Sequence, residues 1–207
     1  MYLPKHFEET RPAALLDLIR AHPLATLICN GASGLLANHV PLLVDDGLSL
    51  LRGHVARANP LWQEIGAGVP ALAIFQGADG YVSPSLYPSK ARHGQVVPTW
   101  NYAVVHLRGQ LRAVDDVVFV REVVETLTAR HEDGRAQVWQ LADAPAAYAE
   151  RMLAAVVGIE LRVEAVTGKF KLSQNRDVAD RTGVLCGIAN SELGDLMARI
   201  EAERSPS

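Results

Sequence analysis

The chain has 207 residues, of which 49% are hydrophobic and 21% are charged. This composition is typical of a globular protein and excludes a disordered chain. The length suits one domain with appendages or two small domains. With 20 Lys and Arg against 23 Asp and Glu, the net charge is -3, which argues against a broadly electrostatic nucleic-acid binder.

The cysteine content and the N-terminal residues narrow the class of protein further. Cys29 and Cys186 are too few for a disulfide framework, and no Cys/His cluster has the spacing of a zinc site. The N-terminal MYLPKHFEETRP carries charges where a signal peptide needs an apolar core. No apolar stretch approaches the ~20 residues of a membrane span. We therefore expect a cytoplasmic protein without a metal site and without membrane contact.

The first half of the chain predicts one helix followed by strands and a second, short helix. The helix is expected over 10–21, with Pro12 in its first turn. Asp46-Gly47 between two apolar runs is typical of a β-hairpin. Asn59 and Pro60 predict the start of the short helix, with Asn59 as its N-cap. The apolar runs predict strands over 24–29, 37–44, 48–55 and 69–75.

The second half begins with the longest irregular segment, 77–98, and such a segment in a compact domain is often functional. Residues 103–113 alternate apolar and polar side chains almost without a break, which predicts a strand. Further predictions are helices after Asp115-Asp116 and near Pro145, a strand over 160–166 and a helix opening at about Asn175. A final amphipathic helix is predicted by the spacing of Leu193, Leu196, Met197 and Ile200.

The order of these elements favours one fold class. Several antiparallel-type strands are followed by helices and then by one late strand. This order indicates an α+β protein with a barrel or sandwich of strands. It lacks the βα alternation of a Rossmann fold, and no GxGxxG motif is present.

Polar residues cluster at several points where packing alone does not require them. One cluster ends a predicted strand and precedes the short helix, and it includes Arg52, His54, Arg57 and Asn59. A helix N-terminus offers unpaired N–H groups, so Arg57 just before it suggests a phosphate site. The alternative is that Asn59 only caps the helix and the basic side chains are solvated.

Three other clusters also have two interpretations. Trp100 and Tyr102 flank Asn101, a combination suited to a planar heterocycle, but both rings could belong to the core. His39, together with Asn38, lies on a predicted strand, where a histidine with a purely structural hydrogen bond is the alternative. The segment 171–176 is either an anion-binding turn or a helix cap with solvated neighbours.

Six segments, taken in chain order, resemble the PaiB-like family of FMN-binding negative transcriptional regulators. They are MYLPKHFEE, ANHVPLL, LRGHVARANPLW, YVSPSLYPSK, VVPTWNYAVVHLRGQL and GKFKLSQNR, and together they extend from Met1 to about Val184. The resemblance implies an antiparallel split β-barrel of the FMN-binding type with peripheral helices over 1–189. It also implies a homodimer with FMN at the subunit interface. The C-terminal amphipathic helix and tail over 190–207 fall outside it.

The resemblance also implies which residues contact FMN. Two successive strands line and flank the flavin, the residues after the second strand hold the phosphate, and the VPTWNY segment approaches the flavin or its ribityl chain. The KLSQNR segment closes the site, from the same subunit or its partner. In that order the residues are Asn38, His39 and Val40; His54, Val55 and Ala56; Arg57 and Asn59; Thr99, Trp100 and Asn101; and Lys171 and Gln174.

Three functions of different class follow from this sequence. The family implies a negative transcriptional regulator, although neither the charge nor a helix-turn-helix pattern supports direct DNA binding. The alternative is an FMN-dependent oxidoreductase, such as a flavin reductase, an oxidase or a haem-handling protein, with His39 or His54 as the candidate proton donor. The third is a structural dimer with a vestigial site. The substrate is open in all three.

Overall fold

The computed structural model describes residues 1–32 and 34–204. Its strands are β1 (Glu8–Glu9), β2 (Leu24–Gly31), β3 (Gly34–Pro41), β4 (Leu43–Val44), β5 (Leu50–Ala56), β6 (Val69–Val82), β7 (Thr99–Val114) and β8 (Val156–Lys171). Its α-helices are α1 (Pro12–Ala21), α2 (Leu61–Ile65), α3 (Ser89–His93), α4 (Val117–Glu132), α5 (Ala146–Ala154), α6 (Val178–Ile188) and α7 (Glu192–Arg204).

The strands form one sheet with the hydrogen-bonded order β3-β2-β6-β7-β8-β5-β4, and β1 pairs with β8 off this path. The pairings of β2 with β3 and β6, of β5 with β4 and β8, and of β1 with β8 are antiparallel. The predicted α+β class is therefore confirmed.

The chain divides into two compact units. Unit 1 consists of Met1–Leu18, Gln76–Val105 and the described part of Thr167–Ser207. Unit 2 consists of Ile19–Phe75 and His106–Val166. The long strands β6, β7 and β8 contribute residues to both units.

Unit 2 owes its core to the alternation of side chains along its strands. Leu51, Leu107 and Ile159 are fully buried, as the period of two predicts for the inward-facing positions. Gly109 on β7 has no room for a side chain, because a Cβ there would lie 1.9 Å from the backbone oxygen of Arg162. The strands can pack this closely because that position is glycine.

Unit 1 is built around the C-terminal helices. The apolar stripe of α7 predicted from the sequence is buried, with Leu193, Met197 and Ile200 each 4% exposed. Helix α6 is capped by Asp177, whose side chain accepts a hydrogen bond from the Asp180 N–H at 2.8 Å. Asp180 is itself buried and accepts from the Ser89 hydroxyl at 2.7 Å, which ties α6 to α3.

Most of the predicted elements are confirmed. Helix α1 lies within the predicted 10–21 and begins at Pro12. The predicted hairpin forms around Asp46-Gly47, because Leu43 pairs with Arg52 and Val44 with Leu51 across β4 and β5. Helices α4, α5 and α7 also occur where the sequence predicts them.

Several predicted boundaries are wrong; the strand expected over 160–166, for example, extends over Val156–Lys171. The segment 77–98 is largely regular, because β6 continues to Val82 and is followed by a 3-10 helix at Pro84–Leu86 and by α3. Gly77, a residue typical of loops, lies within the strand beside Leu18, whose side chain would be 3.0 Å from a Cβ at that position. Helix α6 begins at Val178 rather than at about Asn175, because Asp177 supplies the cap.

The division at residues 189 and 190 between a flavin-binding domain and a C-terminal helix stays a prediction, and residues 205–207 of the tail lie outside the described residues. Within the described chain, no helix combines the length and apolar character needed to cross a bilayer.

Candidate functional site

The residues that the family resemblance assigns to FMN fall into two groups, one in each unit. The unit 2 group lies on β3, on β5 and in the segment that follows β5; its members are Asn38, His39, Val40, His54, Val55, Ala56, Arg57 and Asn59. The unit 1 group lies at the start of β7 and around the end of β8; its members are Thr99, Trp100, Asn101, Lys171 and Gln174.

Asn59 joins β3 to the start of helix α2. Its Nδ2 donates to the side-chain oxygen of Asn38 at 2.8 Å, and its own side-chain oxygen accepts from the Leu61 N–H at 2.9 Å. The helix starts at Leu61, one residue later than predicted, with Pro60 immediately before it. Asn59 therefore satisfies a backbone donor at the helix start and also holds Asn38 in place on β3.

Arg57 is anchored on several sides within unit 2. Its guanidinium forms a bidentate ion pair with Asp115, with Nη–Oδ distances of 2.9 and 2.6 Å, and its Nε donates to the Ala154 oxygen at 2.8 Å. Its charged carbon lies 5.7 Å from the centre of the Trp62 ring. The ion pair raises the pKa of Arg57 and lowers the pKa of Asp115. The charge of Arg57 is thus compensated before any ligand arrives.

This arrangement changes the physical basis of the predicted phosphate site. Helix α2 has only five residues, so its dipole is small. A phosphate at Arg57 would have to share or displace the Asp115 carboxylate. That Arg57 and Asn59 hold the FMN phosphate stays a prediction. It requires the phosphate to compete with the Asp115 carboxylate for the Arg57 guanidinium.

The two histidines of the unit 2 group differ in environment. His54, on β5, is half-buried, and its Nδ1 is buried without a hydrogen-bond partner in the described chain. Burial lowers the pKa of His54, so its imidazole is neutral at pH 7. His39 is exposed, and its Nδ1 lies 3.2 Å from the Thr26 hydroxyl, which leaves Nε2 as the nitrogen open to a ligand.

The strand alternation turns the other members of the unit 2 group in opposite directions. Val40 and Val55 are both 5% exposed and belong to the core of unit 2. Ala56, the next residue along β5, is exposed. Val40 and Val55 therefore shape the site from beneath, and of these three only Ala56 presents its side chain at the surface.

In the unit 1 group, Lys171 holds the start of β7. Its ammonium donates to the Thr99 hydroxyl and to the backbone oxygen of Trp100. The Trp100 indole is 51% exposed, and its Nε1 donates to Asp79 at 2.9 Å. The alternative that the Trp100 ring belongs to the core is therefore wrong, while its contact with the flavin stays a prediction.

Asn101 and Gln174 serve the structure of unit 1. Asn101 is fully buried; its Nδ2 donates to the Ser173 hydroxyl at 2.9 Å, and its Oδ1 has no partner among the described residues. The Gln174 amide accepts from the Leu172 N–H at 2.7 Å and donates to the Phe170 oxygen at 2.5 Å. Both side chains stabilise the turn after β8, and Asn101 Oδ1, like His54 Nδ1, is a buried atom without a partner among the described residues.

Sequence reasoning missed two residues that position the candidate side chains. From the sequence, either Asp115 or Asp116 could cap helix α4. In the structure Asp116 is the cap and accepts a hydrogen bond from the Phe119 N–H at 2.8 Å, whereas Asp115 forms the ion pair with Arg57. Asp79 holds the Trp100 indole from 21 residues away. Nothing in the local sequence of either aspartate signals its partner.

The neutral His54 makes the stability of the protein depend on pH. The unfolded chain binds a proton on this imidazole near the ordinary pKa of 6.5, whereas the folded chain binds it only at lower pH. The free energy of unfolding should therefore fall as the pH drops below about 6.5. We expect His54→Gln to flatten this pH dependence in thermal unfolding measured between about pH 8 and pH 5.

The matched control for His54 is His131→Gln, an exposed residue on α4 in the same unit. That variant should keep the pH dependence of the natural protein. An identical pH profile for His54→Gln and the natural protein would contradict the buried, neutral state of His54.

Comparison with known proteins identifies the family. Residues 1–165 match the family model described as "Putative FMN-binding domain". An uncharacterized protein of Emericella nidulans is 32% identical over 244 aligned residues that cover 99% of this chain and 97% of the relative. The protease synthase and sporulation protein PAI 2 of Bacillus subtilis is 29% identical, with 93% of this chain and 91% of the relative aligned.

A solved structure confirms the fold. The FAD and heme binding protein from Mycobacterium smegmatis superposes with a TM-score of 0.62 at 20% identity, covering 85% of this chain and 78% of that chain. The predicted antiparallel split barrel is the fold of this protein. The chain belongs to the PaiB-like family of FMN-binding domains, and FMN is its cofactor.

Proposed function

We propose that this protein is a homodimeric flavoprotein that uses FMN for oxidation and reduction. The observation that carries the proposal is His54, whose buried Nδ1 lacks a partner within the described chain. His54 lies on β5, in the GHVARAN segment that the family resemblance places against the flavin. A polar atom withdrawn from water without a hydrogen bond is unfavourable, so this position is built for a group that the chain alone does not supply.

The residues of the two groups suit FMN in chemical kind. The Asn38 amide offers both a donor and an acceptor, as the edge of a flavin ring requires. The exposed Trp100 indole offers an aromatic face. When bound, FMN supplies hydride or single-electron transfer, and the protein supplies orientation and electrostatics.

The two histidines are given different roles by their surroundings. His54, kept neutral by burial, is suited to hydrogen bonding without a change of charge. His39 is exposed, with Nδ1 beside Thr26, which leaves its Nε2 open to solvent and to a ligand. We assign His39 as the proton donor and His54 as the residue that orients the ring.

Exposed apolar side chains support the proposed homodimer. In unit 2, Leu24 is 62% and Leu35 is 78% exposed, and in unit 1 Val97 is 64% exposed. Burial of these apolar side chains against a second copy of the chain would be favourable. A second copy of the chain would remove these side chains from water. The proposed location of the protein is the cytoplasm.

The redox role predicts a direct spectroscopic result. Addition of NADH or NADPH to the FMN-loaded protein in the absence of oxygen should bleach the flavin absorbance faster than the same addition to free FMN. His39→Gln should slow the bleaching if His39 handles the proton, whereas His131→Gln should not. Bleaching no faster than that of free FMN with either nucleotide would contradict a nicotinamide-dependent reductase.

The phosphate assignment predicts opposite effects at the two ends of one ion pair. Arg57→Ala should weaken FMN binding about ten- to hundred-fold, because a charge-assisted hydrogen bond is lost. Asp115→Asn should strengthen it, because the guanidinium is released from its competitor. Arg121→Ala, which removes an exposed ion pair with Glu125 in the same unit, should leave FMN affinity unchanged. Unchanged affinity in both test variants would make Arg57 purely structural.

A second candidate function is control of transcription. It is favoured by the 29% identity to the Bacillus subtilis protein named for protease synthesis and sporulation. If this chain binds DNA directly, its affinity for a promoter fragment should fall steeply as salt rises, since phosphate contacts release counterions. Mobility-shift assays at two salt concentrations measure this. Absence of any shift at low salt would leave regulation, if it occurs, to an indirect route.

A further inference from the structure

Three cationic side chains lie close along the chain at the end of β8 and in the turn after it. Lys169, Lys171 and Arg176 form what we call the β8 cation cluster, and all three belong to unit 1. Within the described residues, no carboxylate lies within 4.0 Å of any of their charged nitrogens. Two arginines of the same unit do pair with carboxylates: Arg92 with Asp177 at 2.8 Å and Arg181 with Glu201 at 2.8 Å.

Lys169 is buried with its charge uncompensated by an acid. Lys169 is only 8% exposed. Its Nζ lies 5.3 Å from the centre of the Tyr102 ring and 5.7 Å from the centre of the Tyr2 ring. Its Nζ also donates a hydrogen bond to the Tyr2 backbone oxygen at 3.1 Å. Aromatic rings and a carbonyl stabilise a cation but leave its full positive charge in place.

In the part of the chain that the structure describes, the Lys171 ammonium also donates only to neutral oxygens. Its ammonium has three donors, of which two are directed at the Thr99 hydroxyl and the Trp100 carbonyl. Burial lowers the pKa of Lys171, and the positive charges of Lys169 and Arg176 lower it further. The three charges therefore act on one another, and an anion among them would relieve that repulsion.

Arg176 completes the cluster from the turn after β8. Its guanidinium lies 4.7 Å from the centre of the Tyr87 ring. The turn is fixed by its own bonds, since Ser173 adopts φ 66° and its oxygen accepts from the Arg176 N–H at 2.9 Å. Together with the two bonds of the Gln174 amide, these contacts fix the backbone of the turn that carries Arg176.

We propose that the β8 cation cluster binds an oxyanion, a phosphate or carboxylate group, through Lys171 and Arg176, with Lys169 adding a buried positive charge behind them. A planar guanidinium and an ammonium are the usual partners of phosphate and carboxylate oxygens. The group could be the phosphate of FMN itself or the anionic group of a second ligand. The site follows from unit 1 alone and does not depend on the redox role proposed above.

The test uses inorganic phosphate as the probe, titrated calorimetrically into the full chain at constant ionic strength. We expect saturable binding that Lys171→Gln and Arg176→Gln each weaken about ten-fold or more, through loss of a charge-assisted hydrogen bond. Lys90→Gln, an exposed lysine on α3 in the same unit, should bind phosphate as the natural chain does. Circular dichroism confirms that each variant is folded, and Lys171→Gln suffices if Arg176→Gln does not fold.

A second titration identifies the source of the oxyanion by comparing FMN with riboflavin, which lacks the phosphate. Weaker binding of FMN but not of riboflavin to Lys171→Gln, with inorganic phosphate competing against FMN, assigns the cluster to the FMN phosphate. Phosphate binding to the FMN-loaded protein, with FMN affinity unchanged in Lys171→Gln, assigns it to a second ligand. If the natural chain binds no phosphate saturably, or the variants bind it equally well, the oxyanion site is overturned while FMN binding stands.

Discussion

Compensation of buried charge is the constraint that distinguishes the two parts of β8. In unit 2, β8 carries Glu160, which is 7% exposed and lies between Arg112 at 2.7 Å and Arg52 at 3.4 Å. Arg52 is also the cross-strand partner of Glu160, so the pairing is set by the register of β5 and β8. A buried carboxylate without these arginines would be strongly destabilising. In unit 1 the same strand ends with Lys169 and Lys171, and no carboxylate of the described residues forms an ion pair with either of them.

Whether a side chain already has a partner separates the side chains that support the fold from those open to a ligand. Arg57, Asn59 and Gln174 have the residue types expected of cofactor ligands, yet each is engaged by neighbours in its own unit. Among the described residues, His54 Nδ1 has no partner, and Lys171 has hydrogen bonds for two of its three N–H donors. Residue type alone indicates what a side chain can bind, whereas its existing partners decide whether it is available.

Periodicity and turn chemistry were sufficient to predict much of the fold. The alternation over 103–113 located β7, and the spacing of Leu193 to Ile200 located α7, because both depend only on neighbours in the chain. The extension of β6 past Phe75 was missed, since glycines at 77 and 80 are typical of loops and their close packing is a tertiary effect. The pairing of Arg57 with Asp115 spans 58 residues. No local pattern encodes it.

The uninterrupted course of β8 from Val156 to Lys171 limits how this protein can evolve in length. Successive side chains of a strand point to opposite faces, so one inserted or deleted residue within β8 would reverse the orientation of every side chain beyond it. Depending on where the change falls, Glu160 would lose its ion pairs with the two arginines, or Lys169 and Lys171 would lose their contacts with Tyr102 and Thr99. Length changes among relatives are therefore expected in exposed connections such as 133–145, between α4 and α5, while β8 keeps its residue count.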